Sequence, residues 1–453
     1  MPHRAIDTWV INPLNRFMRK STSSGILLFF MAFLSLIIAN SPLHEAFDSF
    51  WQTRVSFNFG SFSVDNSLLH WVDDGLMSLF FFVVGLELKR ELVAGELARP
   101  KDALMSIVAA IGGMLLPALI FYLFNKDASI DALNGWGIPM ATDIAFALGV
   151  IFLLGDKVPT TLKVFLTALA IIDDVGAVSV IAFFYTESLS FVSLMLGGFF
   201  LSIMLLSNRL GIRSPLFYGI IGIGGVWLAF LMSGVHATIA AVLAAFTIPA
   251  SVEIHKESYL KKISSFTNQL KKTKSSDHEA ILTPNEEQVY NQINLTTEEA
   301  ISPLQRLEHK MHPLVAFVVM PIFALANAGV RIEENFLEVL SGSVAMGVAF
   351  GLIIGKVVGI VGFVYLFSKL KLFDIPKSLN FKMIVGVSFL AAIGFTMSLF
   401  ITSLAFENPE YAKQAKLGVI AASFVAGTIG FFILKSALKN HEGKPELNQG
   451  LEV

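Results

Sequence analysis

The chain of 453 residues contains no cysteine, which excludes disulfides, thiolate catalysis, haem thioether links and iron–sulfur clusters. Charged residues are also scarce, at 15% of the chain, whereas a soluble globular protein carries about a quarter. The formal net charge of −2 gives no overall basic character, and nothing in the sequence indicates nucleic-acid binding. Hydrophobic residues make up 54%, and the mean hydropathy is +0.68. This composition predicts an all-α polytopic membrane protein.

Twelve apolar runs approach or exceed the length of about 20 residues that a membrane-spanning helix requires. The first run could instead be a signal peptide, but its cleavage signature is weak and it opens a long series, so we predict an uncleaved span. The seventh and eighth runs are short and nearly continuous. We predict twelve transmembrane helices at Gly25–Ala39, Leu68–Leu88, Ala103–Phe124, Gly135–Leu154, Thr160–Tyr185, Phe191–Ser207, Leu216–Ser233, Val235–Ala250, Pro313–Val330, Ser341–Phe367, Phe381–Phe406 and Lys416–Ala437.

The basic residues between these runs predict that both termini are cytoplasmic. With the N-terminus inside, the inner loops carry Lys89, Arg90, Arg99, Lys101, Lys157, Lys163, Arg209, Arg213, Lys369, Lys371, Lys377 and Lys382. The outer loops carry only Arg54, Lys126, Arg331, Lys413 and Lys416.

The predicted organisation has five parts. These are a basic cytoplasmic N-terminus (1–24), eight spans (25–250), a long polar cytoplasmic loop (251–310), four spans (311–439) and a cytoplasmic tail (440–453). The loop is rich in Lys, Glu, Ser and Thr and poor in aromatics, so we expect a partly helical or disordered linker there.

Fully intramembrane ionisable residues, away from the ends of the predicted spans, are few: Asp143, Asp173, Asp174 and Lys356. Charges at bilayer depth are costly, so such residues usually face a cavity and have a function. Asp173 and Asp174 repel each other and offer oxygen ligands that suit a hard cation. Because adjacent helical residues point about 100° apart, one acid would face the ion pathway while the other reaches a partner, with Lys356 as the candidate. A structural salt bridge accounts for part of the set, but one lysine neutralises only one acid.

Two of the spans contain interruptions. Gly135–Asp143 sets glycines, a proline and small polar residues inside an apolar run, and Ala391–Ser398 does something similar in the second half. Paired interruptions in the two halves of a chain are typical of a transporter's binding site. For the second stretch alone, close helix packing at Gly394 is an equally good explanation.

A second group of ionisable residues lies at the predicted cytoplasmic helix ends. A patch so rich in histidine and carboxylate would titrate near neutral pH, although an ordinary hydrated helix end has the same composition. His236 would, by itself, be a histidine packed between helices, and Asp74 is a weaker candidate for an ion-path or structural acid. The group consists of Glu87, Arg90, Glu91, Glu308, His309 and His312.

Six stretches together resemble the motifs of NhaA-type Na⁺/H⁺ antiporters of bacterial inner membranes. They cover nearly the whole chain in the same order, and only the loop 251–310 is longer than that family leads us to expect. The resemblance implies inverted-topology repeats with two discontinuous, crossing helices, an architecture of which this family is a known example. The six stretches are Gly85–Leu92, Ala141–Ala147, Ile171–Asp174, Ser233–Thr238, Pro321–Gly329 and Gly394–Ser398.

The resemblance also implies an activity and a site. The chain would be a secondary transporter, with no cofactor, that exchanges internal Na⁺ or Li⁺ for external H⁺ electrogenically and is activated by alkaline pH. Asp174 would be the main Na⁺ ligand, with Asp173 beside it and ion-paired to Lys356 when no cation is bound. Whether the transported protons reside on the two acids or partly on Lys356 stays open.

Further roles follow from the same resemblance. Thr142 and Asp143 would lie where the broken helices cross, and Gly394, Thr396 and Met397 would belong to the second broken helix. Asp143 would offset the positive N-terminal ends of the half-helices, and Lys356 would offset the negative C-terminal ends. The cytoplasmic group and His236 would take part in the pH response. The first outer loop, where Asn58–Val64 alternates like a small β-hairpin, would join two subunits into a homodimer.

Two other classes of function compete with an antiporter. An intramembrane aspartyl protease needs two acids on two helices that face one water molecule, whereas here the adjacent pair lies on one predicted helix. A channel or anion-symporter relative could share the twelve-span body. Deleting the Asp pair would leave conductance largely intact in a channel and would abolish exchange in an antiporter.

Overall fold

The computed structural model describes residues 21–59, 62–185, 190–272, 282–332 and 336–439. The predicted cytoplasmic tail at 440–453 and most of the N-terminal segment lie outside these residues. The described chain is almost entirely helical, with one two-stranded sheet. Its elements are α1 (Ser21–Ala39), α2 (His44–Gln52), β1 (Arg54–Phe59), β2 (Phe62–Ser67), α3 (Leu68–Ala94), α4 (Pro100–Asn125), α5 (Ile130–Leu133), α6 (Ile144–Leu153), α7 (Thr160–Phe184), α8 (Phe191–Arg209), α9 (Pro215–Leu231), α10 (Ala237–Thr247), α11 (Lys256–Lys272), α12 (Pro284–Glu299), α13 (Pro303–Asn327), α14 (Phe336–Leu340), α15 (Ser343–Lys369), α16 (Phe381–Ala391), α17 (Phe395–Ala405) and α18 (Pro409–Lys439).

The helices fit a polytopic membrane protein. Within the described residues, eight helical segments are long and apolar enough to cross a membrane, and the number rises to ten if each of two bent helix pairs is one span. The pairs are α1 with α2, bent by 114°, and α16 with α17, bent by 43°. Helices α9 and α10 are apolar but shorter. Each of the twelve apolar runs in the sequence therefore coincides with helical structure.

Some helices extend beyond the predicted apolar runs. Helix α13 begins at Pro303, ten residues before the predicted start, and Ser302 caps it by accepting a hydrogen bond from Gln305 N. Helix α18 begins at Pro409 rather than at Lys416. Both extensions are polar, so hydropathy alone could not reveal them.

Four of the long helices contain a short π-helical stretch. These stretches are Trp71–Leu76 in α3, Gly222–Trp227 in α9, Val315–Val319 in α13 and Gly351–Lys356 in α15. A π-helical turn widens the helix locally and often marks a functional position. Here one such turn carries Asp73 and another ends at Lys356.

The polar loop at 251–310 contains two helices that pack together, α11 and α12. Thr283 and Glu286 form a capping box at the start of α12, and Lys262 on α11 pairs with Glu299 at 3.7 Å. The backbone N–H groups of Glu253 and Ile254 donate to Glu299 O, which closes the base of the hairpin. The expectation of a partly helical linker is consistent with this arrangement.

The predicted hairpin in the first outer loop is longer than Asn58–Val64. Strands β1 and β2 pair antiparallel from Arg54 with Ser67 to Phe59 with Phe62. Asp65 accepts hydrogen bonds from Ser56 Oγ and Arg54 Nη1, both at 2.8 Å, and these two bonds lower the pKa of its carboxyl.

Helices α4, α7 and α15 position the interior polar groups. Helix α4 packs on both α7 and α15, and all three helices contact the 3₁₀ segment Asn134–Met140. Helices α4 and α15 approach so closely that a Cβ on Gly359 would overlap the carbonyl oxygen of Gly112. Small residues allow this backbone contact, which is a usual means of packing helices in membranes.

Candidate functional site

The Asp pair lies at the middle of α7. Asp173 and Asp174 are each about 1% exposed, and both are buried in an apolar helix of 25 residues. The helix forms because an uninterrupted run of apolar and small residues extends on both sides of the pair. Adjacent positions on it differ in direction by about 100°, so the two carboxylates meet different neighbours.

Asp173 is ion-paired with a fully buried lysine. Lys356 Nζ lies 3.0 Å from Asp173 Oδ2 and also donates a hydrogen bond to the carbonyl oxygen of Met140. Thr142 Oγ1 lies 2.7 Å from Asp173 Oδ2 and 2.9 Å from Ala391 O, so its single proton is shared between two acceptors. Lys356 on α15 and Thr142 in the extended segment before α6 thus converge on one carboxylate of α7.

Asp174 is held differently. Its Oδ1 is buried and accepts no hydrogen bond within the described residues, and the same is true of Asp173 Oδ1. A buried carboxylate oxygen without a donor is costly. Two such oxygens on adjacent residues form a pair of anionic ligands that suits a small hard cation.

Two interrupted helices meet beside the Asp pair. The first is Ile130–Leu153, where the 3₁₀ segment Asn134–Met140 ends and Ala141–Asp143 is extended before α6 begins. The second is the break between α16 and α17. Asp143 N donates to Ile393 O at 2.7 Å, and Ser398 Oγ donates to Ile138 O at 2.8 Å. Each break therefore satisfies some of the backbone groups that the other break frees.

Asp143 caps two helices at once. Its Oδ1 accepts from Phe146 N at 2.9 Å, which makes it the N-cap of α6. Its Oδ2 accepts from Thr396 N at 3.1 Å and from Thr396 Oγ1, in the first turn of α17. A carboxylate is favoured at the partly positive N-terminus of a helix, and here one carboxylate serves two. Lys356, in turn, binds Met140 O at the end of the 3₁₀ segment, where partial negative charge accumulates.

The two other candidates in the second break are buried as well. Met397 is 1% exposed on α17. A Cβ on Gly394 would overlap Ser398 Oγ and would lie 3.1 Å from Leu352 Cδ2. Gly394 therefore lets Ser398 and Leu352 lie close to its backbone, which agrees with the packing explanation of this glycine.

The helix-end group is only partly assembled. Arg90 Nη2 lies 3.1 Å from Glu91 Oε1, and Arg90 Nε lies 3.3 Å from Glu308 Oε1 as an ion pair without hydrogen-bond geometry. Glu87 lies one turn before Glu91 and is partly buried. His309 and His312 follow Glu308 on α13 and are exposed. The arginine thus ties the end of α3 to α13.

His236 lies far from this group. It precedes α10, and its Nε2 is 3.0 Å from Tyr185 O, just beyond the C-terminal end of α7. Glu91, by contrast, shares a cavity with Lys163 near the start of α7. The 22 residues between Lys163 and Tyr185 span about 33 Å of helix.

That cavity has a volume of about 590 Å³, and its lining includes Glu91, Arg99, Lys163 and Thr167. Thr167 lies seven residues before Asp174, which is two helical turns and about 10 Å along the same face of α7. A polar opening thus approaches the Asp pair from the helix end where the Arg90 group lies.

Several residues of the site were not singled out from the sequence. Ser398 Oγ, next to the second break, donates to Ile138 O in the first interrupted helix, and Ser423 Oγ accepts from Phe395 N. The carbonyl oxygen of Met140 accepts from Lys356. Asp73, rather than its neighbour Asp74, is the buried acid of α3, and it accepts a hydrogen bond from Asn327 at 2.8 Å. Asp74 pairs with His70 at 3.0 Å. The location of Asn327 inside the motif Pro321–Gly329 was a usable signal.

Comparisons with known proteins agree on one family. The family profile described as Na⁺/H⁺ antiporter 1 matches residues 15–434. A protein from Oleidesulfovibrio alaskensis, named Na(+)/H(+) antiporter NhaA, is 45% identical over 437 residues, covering 96% of each chain. A namesake from Wolinella succinogenes is 46% identical over 424 residues, covering 93% of this chain and 92% of its own. A Na(+)/H(+) antiporter NhaA 1 from Saccharophagus degradans is 43% identical over 427 residues, covering 94% and 91%.

Proposed function

Because the chain belongs to the NhaA family of Na⁺/H⁺ antiporters, we propose that it expels cytoplasmic Na⁺ or Li⁺ across a bacterial inner membrane in electrogenic exchange for external H⁺. The family makes it a multi-pass secondary transporter rather than an enzyme, and transport of this kind needs no cofactor. Sodium and protons are the transported ions. The role would be sodium and pH homeostasis.

The observation that carries the proposed site is the buried group of Asp173, Asp174 and Lys356. Asp174 Oδ1 and Asp173 Oδ1 are anionic ligands without donors, and the Asp173–Lys356 pair at 3.0 Å is the bond that an entering cation would weaken. Thr142 Oγ1, which touches Asp173, supplies a neutral oxygen beside them. Na⁺ binding would therefore compete with protons for the same oxygens.

The charge count of this group supports electrogenic exchange. With protons bound, Asp174 is neutral and Asp173 is paired with the lysine ammonium, so the group has no net charge. When Na⁺ enters, one proton leaves Asp174 and a second leaves the Asp173–Lys356 pair, because the cation replaces the ammonium as the partner of Asp173. Two protons then move for each cation, and one net charge crosses the membrane in each cycle.

The architecture we propose has twelve spans with crossing interrupted helices. Helices α9 and α10, together with the two bent pairs, would complete the eight clear spans. The support for a crossing is the set of hydrogen bonds between the two breaks, from Asp143 N to Ile393 O and from Ser398 Oγ to Ile138 O. Discontinuous helices at depth are a common way to build an ion site. The inverted repeat would relate the two halves.

We also propose that the helix-end group regulates exchange by pH. Arg90 bridges Glu91 on α3 and Glu308 on α13, and both ion pairs require ionised carboxylates. Loss of the Glu308 proton as the pH rises would therefore favour the contact between α3 and α13 beside the cavity that approaches Asp174. Glu87, His309 and His312 would add to the charge change at this end, and His236 would act from the opposite end of α7.

The connecting loops support a proposal for the membrane orientation of the chain and for its assembly into a dimer. The bias of Lys and Arg toward one set of loops supports cytoplasmic termini. Within the described residues no third strand pairs with the β1–β2 hairpin, and the edges of such a sheet readily pair with another chain. A homodimer would form through this outer hairpin.

The test of the function is proton movement in everted membrane vesicles. Na⁺ added to wild-type vesicles should collapse an imposed pH gradient at alkaline pH, and Asp174→Asn should abolish that response. The exposed Asp131 provides the matched control, since Asp131→Asn should respond as wild type does. Sodium-dependent exchange that persists in Asp174→Asn would refute the site, and absence of exchange in the wild type would refute the function.

A further inference from the structure

An apolar crevice of about 710 Å³ lies between α1, α6 and α18. Phe29 and Phe33 from α1 form one wall, and Phe424 and Phe432 from α18 form the other. Each of these four side chains is more than half exposed. Since α1, α6 and α18 all belong to candidate membrane spans, the crevice opens into the hydrocarbon of the bilayer rather than into water.

The floor of the crevice is the junction of the two interrupted helices. Phe146, on α6, packs edge-to-face against Phe395, on α17, with ring centroids 5.5 Å apart. Phe146 also packs against Phe29 at 6.3 Å. Phe395 immediately precedes Thr396, whose N–H and hydroxyl donate to Asp143. Any occupant of the crevice would thus press on the backbone that shapes the ion site.

The chemistry of the walls selects an apolar occupant. The two hydroxyls in the lining are already bonded, since Ser423 Oγ accepts from Phe395 N at 3.2 Å and Thr428 Oγ1 donates to Phe424 O at 2.8 Å. The volume falls within the range of about 300–1,000 Å³ that is usual for ligand sites. From Leu417 to Phe432 the crevice follows α18 for about 22 Å, which is longer than one leaflet of a hydrocarbon core of about 30 Å.

A cation lies at one end of the crevice. Phe431 and Phe432 line that end, and Lys435 follows one turn later with its Nζ 5.6 Å from the centroid of the Phe431 ring. Lys435 is exposed. Lysine side chains near the ends of spanning helices extend toward the headgroup region, where they attract anionic lipid. The apolar channel and the terminal ammonium together match an acyl chain that carries a phosphate.

We propose that this crevice binds one acyl chain of an anionic phospholipid, with the phosphate held at Lys435. The bound chain packs against Phe395 and Phe146 and steadies the junction of the interrupted helices. Exchange by the protein therefore depends on the lipid around it through a site that is separate from the ion ligands.

The test compares lipid retention by the purified full-length chain and its variants in native mass spectrometry, using phosphatidylglycerol and phosphatidylcholine as the two probes. Ala421→Trp fills the crevice from α18, and Ile429→Trp is the matched control because Ile429 lies on the same helix, is 36% exposed and does not line the crevice. Lys435→Gln removes the terminal cation, and Lys369→Gln is its control at the exposed end of α15.

Wild type, Ile429→Trp and Lys369→Gln should each retain one phosphatidylglycerol that Ala421→Trp loses. Lys435→Gln should reduce the preference for phosphatidylglycerol over phosphatidylcholine. In proteoliposomes, the exchange rate of Ile429→Trp should respond to the ratio of the two lipids as wild type does, and that of Ala421→Trp should not. Equal lipid retention by Ala421→Trp and Ile429→Trp would overturn the site, and a lipid preference unchanged in Lys435→Gln would overturn the phosphate contact.

Discussion

Replacing Lys356 with Met isolates the contribution of the buried ion pair. Lys356 Nζ and Asp173 Oδ2 are 3.0 Å apart and neither side chain is exposed. Removing one partner of a buried pair costs about 3–5 kcal/mol, because the remaining charge loses its compensation. In Lys356→Met, Asp173 would keep only the hydroxyl of Thr142. An unfolding entropy of about 2.1 cal/mol/K per residue amounts to about 1 kcal/mol/K for the 453-residue chain. Dividing the lost stability by this entropy gives a fall of about 3–5 °C in the unfolding midpoint.

The assay is thermal unfolding in detergent, followed by the fluorescence of tryptophans such as Trp136 and Trp227. The decisive comparison is the double variant Lys356→Met/Asp173→Asn, which leaves no unpaired charge and should regain most of the lost stability. Lys369→Met, at the exposed end of the same helix, should leave the midpoint within about 1 °C of wild type. If the losses in the two single variants simply add in the double variant, the two groups are not coupled and the reasoning fails.

Three further predictions concern other parts of the molecule. Isothermal titration with Na⁺ should detect no binding to Asp174→Asn but weakened binding to Asp173→Asn, because only Asp173 is neutralised by Lys356. Equal losses of Na⁺ affinity in the two variants would contradict the different roles of the two acids. Arg90→Met should raise the pH at which exchange is half-maximal, because it removes the Arg90–Glu308 ion pair, which forms only with an ionised Glu308 and so supports the high-pH form. An unchanged pH profile, with Arg209→Met at the exposed end of α8 as the control, would count against the group as a regulator. Gly359→Leu should lower the unfolding midpoint, because the new Cβ would overlap Gly112 O. Gly362→Leu on the same helix is the control, because a Cβ there meets open space. Similar midpoints for the two variants would show that α4 and α15 can separate without loss of stability.

Hydropathy was sufficient to locate the helices, because a membrane requires apolar runs of a fixed minimum length. The twelve runs coincide with helical structure, whereas the short helices α2 and α14 and polar extensions such as those of α13 and α18 were missed. The π-helical stretches could not be predicted in this way. A π-helical turn changes the side of the helix on which a residue lies, but it does not change the hydropathy of the sequence. The orientation of Lys356 toward Asp173 therefore depends on the local π-helical backbone, which the amino-acid composition does not encode.

The site could be predicted to the extent that charge is rare in apolar surroundings. Asp143, Asp173, Asp174 and Lys356 were identified for that reason, and the pairing of Lys356 with Asp173 is observed. The double capping by Asp143 could not be derived, since it depends on where two breaks remote in sequence meet. The role of a backbone carbonyl such as Met140 O cannot be predicted from the residue types, because every residue has a carbonyl group.

The hydrogen bonds between the two breaks limit how the protein can move. Asp143 N to Ile393 O, Thr396 N to Asp143 Oδ2 and Ser398 Oγ to Ile138 O bind the interrupted helices to each other from both sides. Neither helix can slide or tilt alone without exposing several buried polar groups at once. The two interrupted helices should therefore move together as one rigid body, and flexible positions in the surrounding helices should allow that movement. A conformational change that alternates access would then move the ion ligands of α7 relative to this rigid pair and would leave the hydrogen bonds between the two breaks intact.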